Sequence, residues 1–167
     1  MDTINTRAKG FTLLELMVSM TVSAIGLIGL AGLQAASIKS NTDALKRTQA
    51  NILIADITDR IRINPNGSYD IAKGTSPPSS SLACEDSNGN CSSAELALYD
   101  LSLWKCAIGS YDDSASCEAL SIKGALPKGT GTITVTSSTI YTVTIEWVDY
   151  VDADGEQIAS VSMTTKI

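Results

Sequence analysis

Lys9-Gly10-Phe11-Thr12-Leu13-Leu14-Glu15 opens an apolar run that continues to Leu33, and this junction decides how the chain is built. A short basic leader ends at a glycine, and the hydrophobic stretch starts only after it. An ordinary secretory signal has the opposite order, with cleavage after the apolar region. A cut at Gly10 leaves the apolar segment attached to the product and exposes a new amino terminus. From Phe11 to Leu33 the only ionisable side chain is Glu15. At about 1.5 Å per residue, a helix over these positions spans roughly 35 Å, enough to cross a bilayer with some tilt. Arg7 and Lys9 precede the run, and the next basic residue is Lys39. The positive-inside bias therefore orients the amino terminus to the cytoplasm and the remainder outward.

The helical pattern outlasts the apolar run. Gln34 to Ile63 contains no proline, and Leu53, Ile54, Ile57 and Ile61 form one apolar stripe at helical spacing. Asp56 and Arg60 stand four apart in the favourable acid-first order, and Asp59 and Arg62 three apart. Asn64-Pro65-Asn66-Gly67 ends the helix. Beyond it, residues 74–90 are rich in Ser, Pro, Gly and Asn and read as loop. Ser92 and Glu95 have capping-box spacing, and Ala97, Leu101, Trp104 and Ile108 mark the buried face of a short helix. After a turn at Leu126-Pro127-Lys128-Gly129, three alternating runs rich in Thr, Val and Ile follow, at 131–137, 141–149 and 157–166. Short links between them predict an antiparallel meander, with Ile54, Ile57 and Ile61 covering its apolar face. The expected fold is α+β, a long N-terminal helix packed on an antiparallel sheet. Its expected divisions are a leader at 1–10, a transmembrane half-helix at 11–33, an amphipathic half-helix at 34–63 and a globular head at 64–167.

The chain carries a net charge of −6, and from residue 63 onward five lysines and no arginine face thirteen acids. Such a head repels phosphate backbones, which argues against nucleic acid as a partner. Cys84, Cys91, Cys106 and Cys117 all follow the apolar run, as disulfide pairing in an oxidising compartment requires. Of three possible connectivities, Cys84 with Cys91 and Cys106 with Cys117 needs only short loops; the alternatives stay open. With no Cys-x-x-Cys and no histidine, a zinc site is disfavoured, and no metal or cofactor is expected. The missing histidine also removes any Ser-His or Cys-His dyad, so catalysis is not expected. Asp152-Ala153-Asp154-Gly155-Glu156 holds part of a calcium-loop pattern but lacks its third early ligand and its distant glutamate. It reads as a hairpin turn. Asp112 and Asp113 read as a solvated loop pair, and Trp104, Trp147 and Tyr141 as core.

Gly10-Phe11-Thr12-Leu13-x-Glu15 resembles the processing site of type IV prepilins and of the related type II secretion pseudopilins. Further on, Ile57-Thr58-Asp59-Arg60-Ile61-Arg62-Ile63-Asn64, Cys91-Ser92, Leu98-Tyr99-Asp100, Trp104-Lys105 and Leu126-Pro127-x-Gly129 resemble the PilV class of minor pilins. The resemblance implies cleavage between Gly10 and Phe11 by a prepilin peptidase, methylation of the Phe11 amine by the same enzyme, and a guiding role for the Glu15 carboxylate in assembly. It implies residence in the bacterial inner membrane with the head in the periplasm, then in a surface fibre. The implied partners are other minor pilins, the major pilin, an inner-membrane assembly platform and a tip adhesin. Where many major pilins carry a helix proline, this chain has Gly26, Gly29 and Gly32, which either ease local melting or let helices approach closely. Two other expectations compete with a priming minor pilin of twitching and adhesion: a minor pseudopilin of a secretion machine, and an anchored adhesive head.

Overall fold

The computed structural model describes residues 10–79, 84, 91–137 and 139–167. The chain divides into two compact units, Met1–Thr42 and Asp43–Ile167. One helix, α1, runs over Leu13–Ile63 and contributes to both. In the first unit α1 begins two residues later than the apolar run does, because Thr12 serves as its cap. The Thr12 hydroxyl accepts the Glu15 backbone N–H at 3.2 Å, and its carbonyl accepts that of Leu16. A capping side chain fills one of the four donors that a helix start leaves unmet. Every described residue up to Thr42 is exposed, Phe11, Leu14, Ile25, Ile28 and Leu33 among them. Two hydroxyls along the run turn inward to the helix itself: Ser19 donates to the Leu16 carbonyl and Thr21 to that of Val18, both at 2.8 Å. Backbone-satisfied hydroxyls let Ser and Thr sit in an apolar medium at low cost.

The second unit is organised on a row of α1 residues. Ala50, Ile54, Ile57 and Ile61 are completely buried, while Asn51, Ile52, Ala55, Asp56 and Asp59 between them stay exposed. Each fully buried isoleucine is worth roughly 1.5–3 kcal/mol. Two helices and a sheet complete the head. Helix α2 spans Ser93–Ile108, α3 spans Ala115–Leu120, and strands β1 (Thr130–Ser137), β2 (Ile140–Asp152) and β3 (Gly155–Lys166) follow. The capping box at α2 is complete: Ser92 Oγ accepts from the Glu95 N–H, and the Ser92 N–H donates back to the Glu95 carboxylate. The strands form an antiparallel sheet in the order β1-β2-β3, with register breaks near Ser137 and at Asp149. Ile133, Tyr141, Val143, Ile145 and Trp147 form its buried face and share one core with the α1 row and with Ala97, Leu101, Trp104 and Ile108 of α2. The opposite face is polar, with Thr142 bonded to Thr164 and Thr144 to Ser162.

Trp104 joins the layers. Its indole N–H donates to the Leu53 carbonyl of α1 at 3.0 Å, while its ring lies against Gly131 of β1. A Cβ at Gly131 falls 2.5 Å from both the Trp104 ring and Ile108 Cδ1, so only glycine permits this approach. At the other end of the sheet, Lys46 donates to the Asp149 carbonyl at 2.6 Å, which the local register break presents. Gly131→Ala is expected to lower the unfolding free energy of the detergent-solubilised chain by about 1–3 kcal/mol, and Ile57→Ala by about 2–5 kcal/mol. Denaturant titration followed by tryptophan fluorescence reads both.

Candidate functional site

Gly10, Phe11 and Thr12 precede α1 as exposed, non-helical backbone. Phe11 is 83 % exposed, and nothing lies within 4 Å of where a Gly10 side chain would stand. The Gly10–Phe11 peptide bond thus lies in exposed, non-helical chain within two residues of a capped helix. Residues 1–9, with Arg7 and Lys9, lie outside the described residues. Glu15 occupies the third helical position, in the first turn, where the helix dipole favours negative charge. It shares a shallow concavity with Leu14, Val18, Ser19, Val22 and Ser23. Within the unit this carboxylate forms no ion pair with a described residue. Gly26, Gly29 and Gly32 lie in unbroken helix with open space around them.

The head contains a polar network of which the residue pattern shows only the Asp56–Arg60 pair. Asp100, buried on α2, accepts from Arg60 at 2.8 Å and from the Tyr69 hydroxyl at 2.7 Å. Arg60 also donates to Asp56 at 3.0 Å, and Asn64 donates to both the Tyr69 hydroxyl and the Ser93 carbonyl. Burial and the Asp100 bond both push the Tyr69 phenol upward, so it stays a neutral donor. Burial opposes the Arg60 cation, but its bonds to Asp100 and Asp56 more than offset this and its pKa is raised. The network ties the end of α1 to α2 and to the turn that follows it. Asp59 pairs with Arg62 as the spacing predicts, at 3.1 Å and in solvent.

Lys105 is the second buried polar element. It is fully buried, donates to the Gly131 carbonyl at 2.7 Å and to the Ala72 carbonyl at 3.3 Å, and lies 5.8 Å from the Tyr111 ring centroid. Burial lowers its pKa from 10.5 to about 8. Asp112 departs from the solvated reading: its carboxylate accepts the Gly124 N–H at 2.8 Å and pins the segment after α3. The Asp152–Gly155 turn joins β2 to β3, with Asp152 accepting from the Asp154 N–H and from Gln157, and with Glu156 paired to Lys128. Cys84 is bonded to Cys91 and Cys106 to Cys117. Among the described residues no three His, Cys, Asp or Glu side chains cluster as a metal site.

A long N-terminal helix with an apolar stretch and a three-stranded antiparallel head define the α+β, pilin-like class. The comparisons with known families narrow that class. Residues 5–31 match the prokaryotic N-terminal methylation motif, and residues 32–102 match the family described as Tt1218-like, type IV pilin Tt1218. The two matches abut, and with the fold they support a type IV pilin. No curated protein and no solved structure gives a significant match. The N-terminal motif implies processing by a prepilin peptidase and assembly with other pilins, and with the long apolar helix it fits a membrane-anchored subunit.

Two outcomes follow for the head. Asp100→Ala strands the Tyr69 hydroxyl and the Arg60 cation and is expected to cost about 2–4 kcal/mol of stability, read by thermal or denaturant unfolding. For Lys105 the sign is set by its lowered pKa. Between pH 8 and 10.5 the unfolded chain holds a proton that the folded chain has released, so this residue's contribution to stability rises with pH. The stability of the wild type relative to Lys105→Met is expected to climb by up to about 3 kcal/mol across that window, and parallel denaturation curves at pH 7, 8, 9 and 10 check it.

Proposed function

We propose that the chain is a minor pilin that primes assembly of a type IV pilus and stays near the fibre tip, where it supports adhesion and twitching. The observation that carries this reading is the N-terminal junction. A methylation-motif match over 5–31 coincides with an exposed Gly10-Phe11-Thr12 segment and a capped apolar helix bearing one carboxylate. A prepilin peptidase cuts after Gly10 and methylates the Phe11 amine. The chain then sits in the inner membrane with its amino terminus inward and its head in the periplasm.

Glu15 lies four residues along the chain from that new amine. In a staggered stack of subunits, a carboxylate at this height meets the cationic terminus of a neighbour. At 4 Å and an effective dielectric of about 20, such a pair attracts by about 4 kcal/mol, far more than in water. The apolar run, exposed along its whole length, is then covered by lipid before assembly and by sibling helices afterwards. The head acts as a structural subunit, its partners being other minor pilins, the major pilin, the assembly platform and a tip adhesin. The downstream motifs shared with the PilV class support the minor over the major role. A minor pseudopilin of a secretion machine shares this physics and differs in its host apparatus.

Co-expression with a prepilin peptidase is expected to yield a mature protein that starts at N-methyl-Phe11, detected by intact-mass and terminal-peptide analysis. Gly10→Val is expected to leave the leader in place. Glu15→Val is expected to be processed normally yet fail to enter fibres, with subunit counts in sheared pili reduced at least tenfold. Recovery of only the leader-bearing chain in the presence of active peptidase refutes the proposal.

A further inference from the structure

The two edges of the sheet are treated differently. On β1, Ile133 exchanges both backbone hydrogen bonds with Ile71, each at 3.0 Å, and the Gly131 carbonyl receives Lys105 Nζ at 2.7 Å. These bonds show that Gly131 and Ile133 turn their backbone groups away from β2. In an antiparallel sheet, residues alternate in which neighbour they face. Ile133 is in register with Val143, and Val143 with Met163, so Val143 and Met163 bond to each other. By the same alternation Ala159, Val161 and Thr165 also face β2, whereas Ile158, Ser160, Ser162 and Thr164 turn their N–H and C=O groups outward. Two other bonds agree with this phase. Val148, opposite Ile158, donates to the Pro127 carbonyl on the β1 side, and Ile167 donates to Thr139. No described residue bonds to the outer edge of β3.

That bare edge also lacks the usual guards. Native edges are blunted by charge, proline or a bulge, because unpaired backbone is a template for another strand. Gln157 to Thr165 contains no charged residue and no proline, and its pairing with β2 is regular from Ile158 to Lys166. Ala159 and Val161 pack only partly against the core, and Met163 beside them is 42 % exposed. On the other face the edge ends a hydroxyl ladder, Thr144–Ser162 and Thr142–Thr164. A strand laid here extends the core with apolar residues at alternate positions and the ladder with Ser or Thr between them. Charge selects among occupants. The unit Asp43–Ile167 holds nine Lys and Arg against sixteen Asp and Glu, so a second copy brings like charge.

We propose that β3 receives an extended segment of a different protein as a fourth strand, through the outward backbone groups of Ile158, Ser160, Ser162 and Thr164. The segment alternates apolar residues with Ser or Thr and is neutral to basic. Backbone bonds supply its affinity and alternate side chains its selectivity, as in strand addition generally. The proposal holds whether or not the chain serves a pilus, since it rests on the sheet alone.

The test uses the full chain in detergent micelles and a nine-residue probe of alternating Thr and Val with a lysine at each end. Amide hydrogen exchange is read residue by residue. The probe is expected to slow exchange at Ile158, Ser160, Ser162 and Thr164 at least tenfold, leaving the amides of Ala159, Val161 and Met163 unchanged. Ser162→Pro removes an outward donor and is expected to abolish this protection. A Ser160→Lys, Thr164→Lys double variant, whose backbone is intact, is expected to bind the probe at least tenfold more weakly. The idea is overturned if the four amides exchange unaltered at millimolar probe. Protection that appears with chain concentration alone, without probe, also overturns it, because the occupant is then a second copy.

Discussion

The head is held by one row of small and branched side chains on α1. Ala50, Ile54, Ile57 and Ile61 are the positions at which helix, α2 and sheet close around a dry interior, and each has lost all contact with solvent. A helix buries such a row only if a partner of matching shape lies opposite, and the sheet supplies it with Val143, Ile145 and Trp147. Residues 10–42 obey the opposite condition. All are exposed, and from Phe11 to Leu33 they are as apolar as any core, so the stabilising environment of that run has to be supplied from outside the chain. One helix therefore carries two chemistries, an inward-facing stripe in the head and an all-round apolar surface near its start.

Polar fastening supplements that row at points where backbone order would otherwise be lost. Asp100 gathers Arg60, Tyr69 and, through Tyr69, Asn64, so the last turn of α1 and the chain leaving it are fixed to α2. Lys105 does the same for the sheet edge, capping a carbonyl of β1 that no strand reaches. Both groups are costly to bury alone; Asp100 is held by Arg60 and Tyr69, and Lys105 by the two carbonyls that accept from its ammonium. The edge that Lys105 and Ile71 close on β1 is left open on β3, which makes the sheet directional in what it can accept.

Much of this was legible in the residues. The period of Ile54, Ile57 and Ile61, the Ser92–Glu95 box and the alternation of Val143, Ile145 and Trp147 each express a local rule whose outcome tertiary packing reinforces. The N-terminal junction was equally plain, since a lone carboxylate in an apolar run stands out against its neighbours. What escaped depended on distance through space rather than along the chain. Asp100 and Arg60 are 40 residues apart, Lys105 and Gly131 are 26 apart, and no periodicity links either pair. Helix α3 escaped for another reason: six residues between a serine cap and a left-handed Ser121 are too few to show a period. The Thr12 cap was visible in principle as Thr-x-x-Glu, but the apolar run that starts at Phe11 masks where the helix begins.

The disulfides have a consequence for biogenesis. Cys84 joins Cys91 across 7 positions and Cys106 joins Cys117 across 11, so each cysteine is bonded to its nearest neighbour in sequence. Wherever the chain is oxidised as it is synthesised, the first thiol to appear meets its proper mate before any other is made. Oxidation in order of arrival then produces the final bridges directly, with no shuffling step for an isomerase to perform.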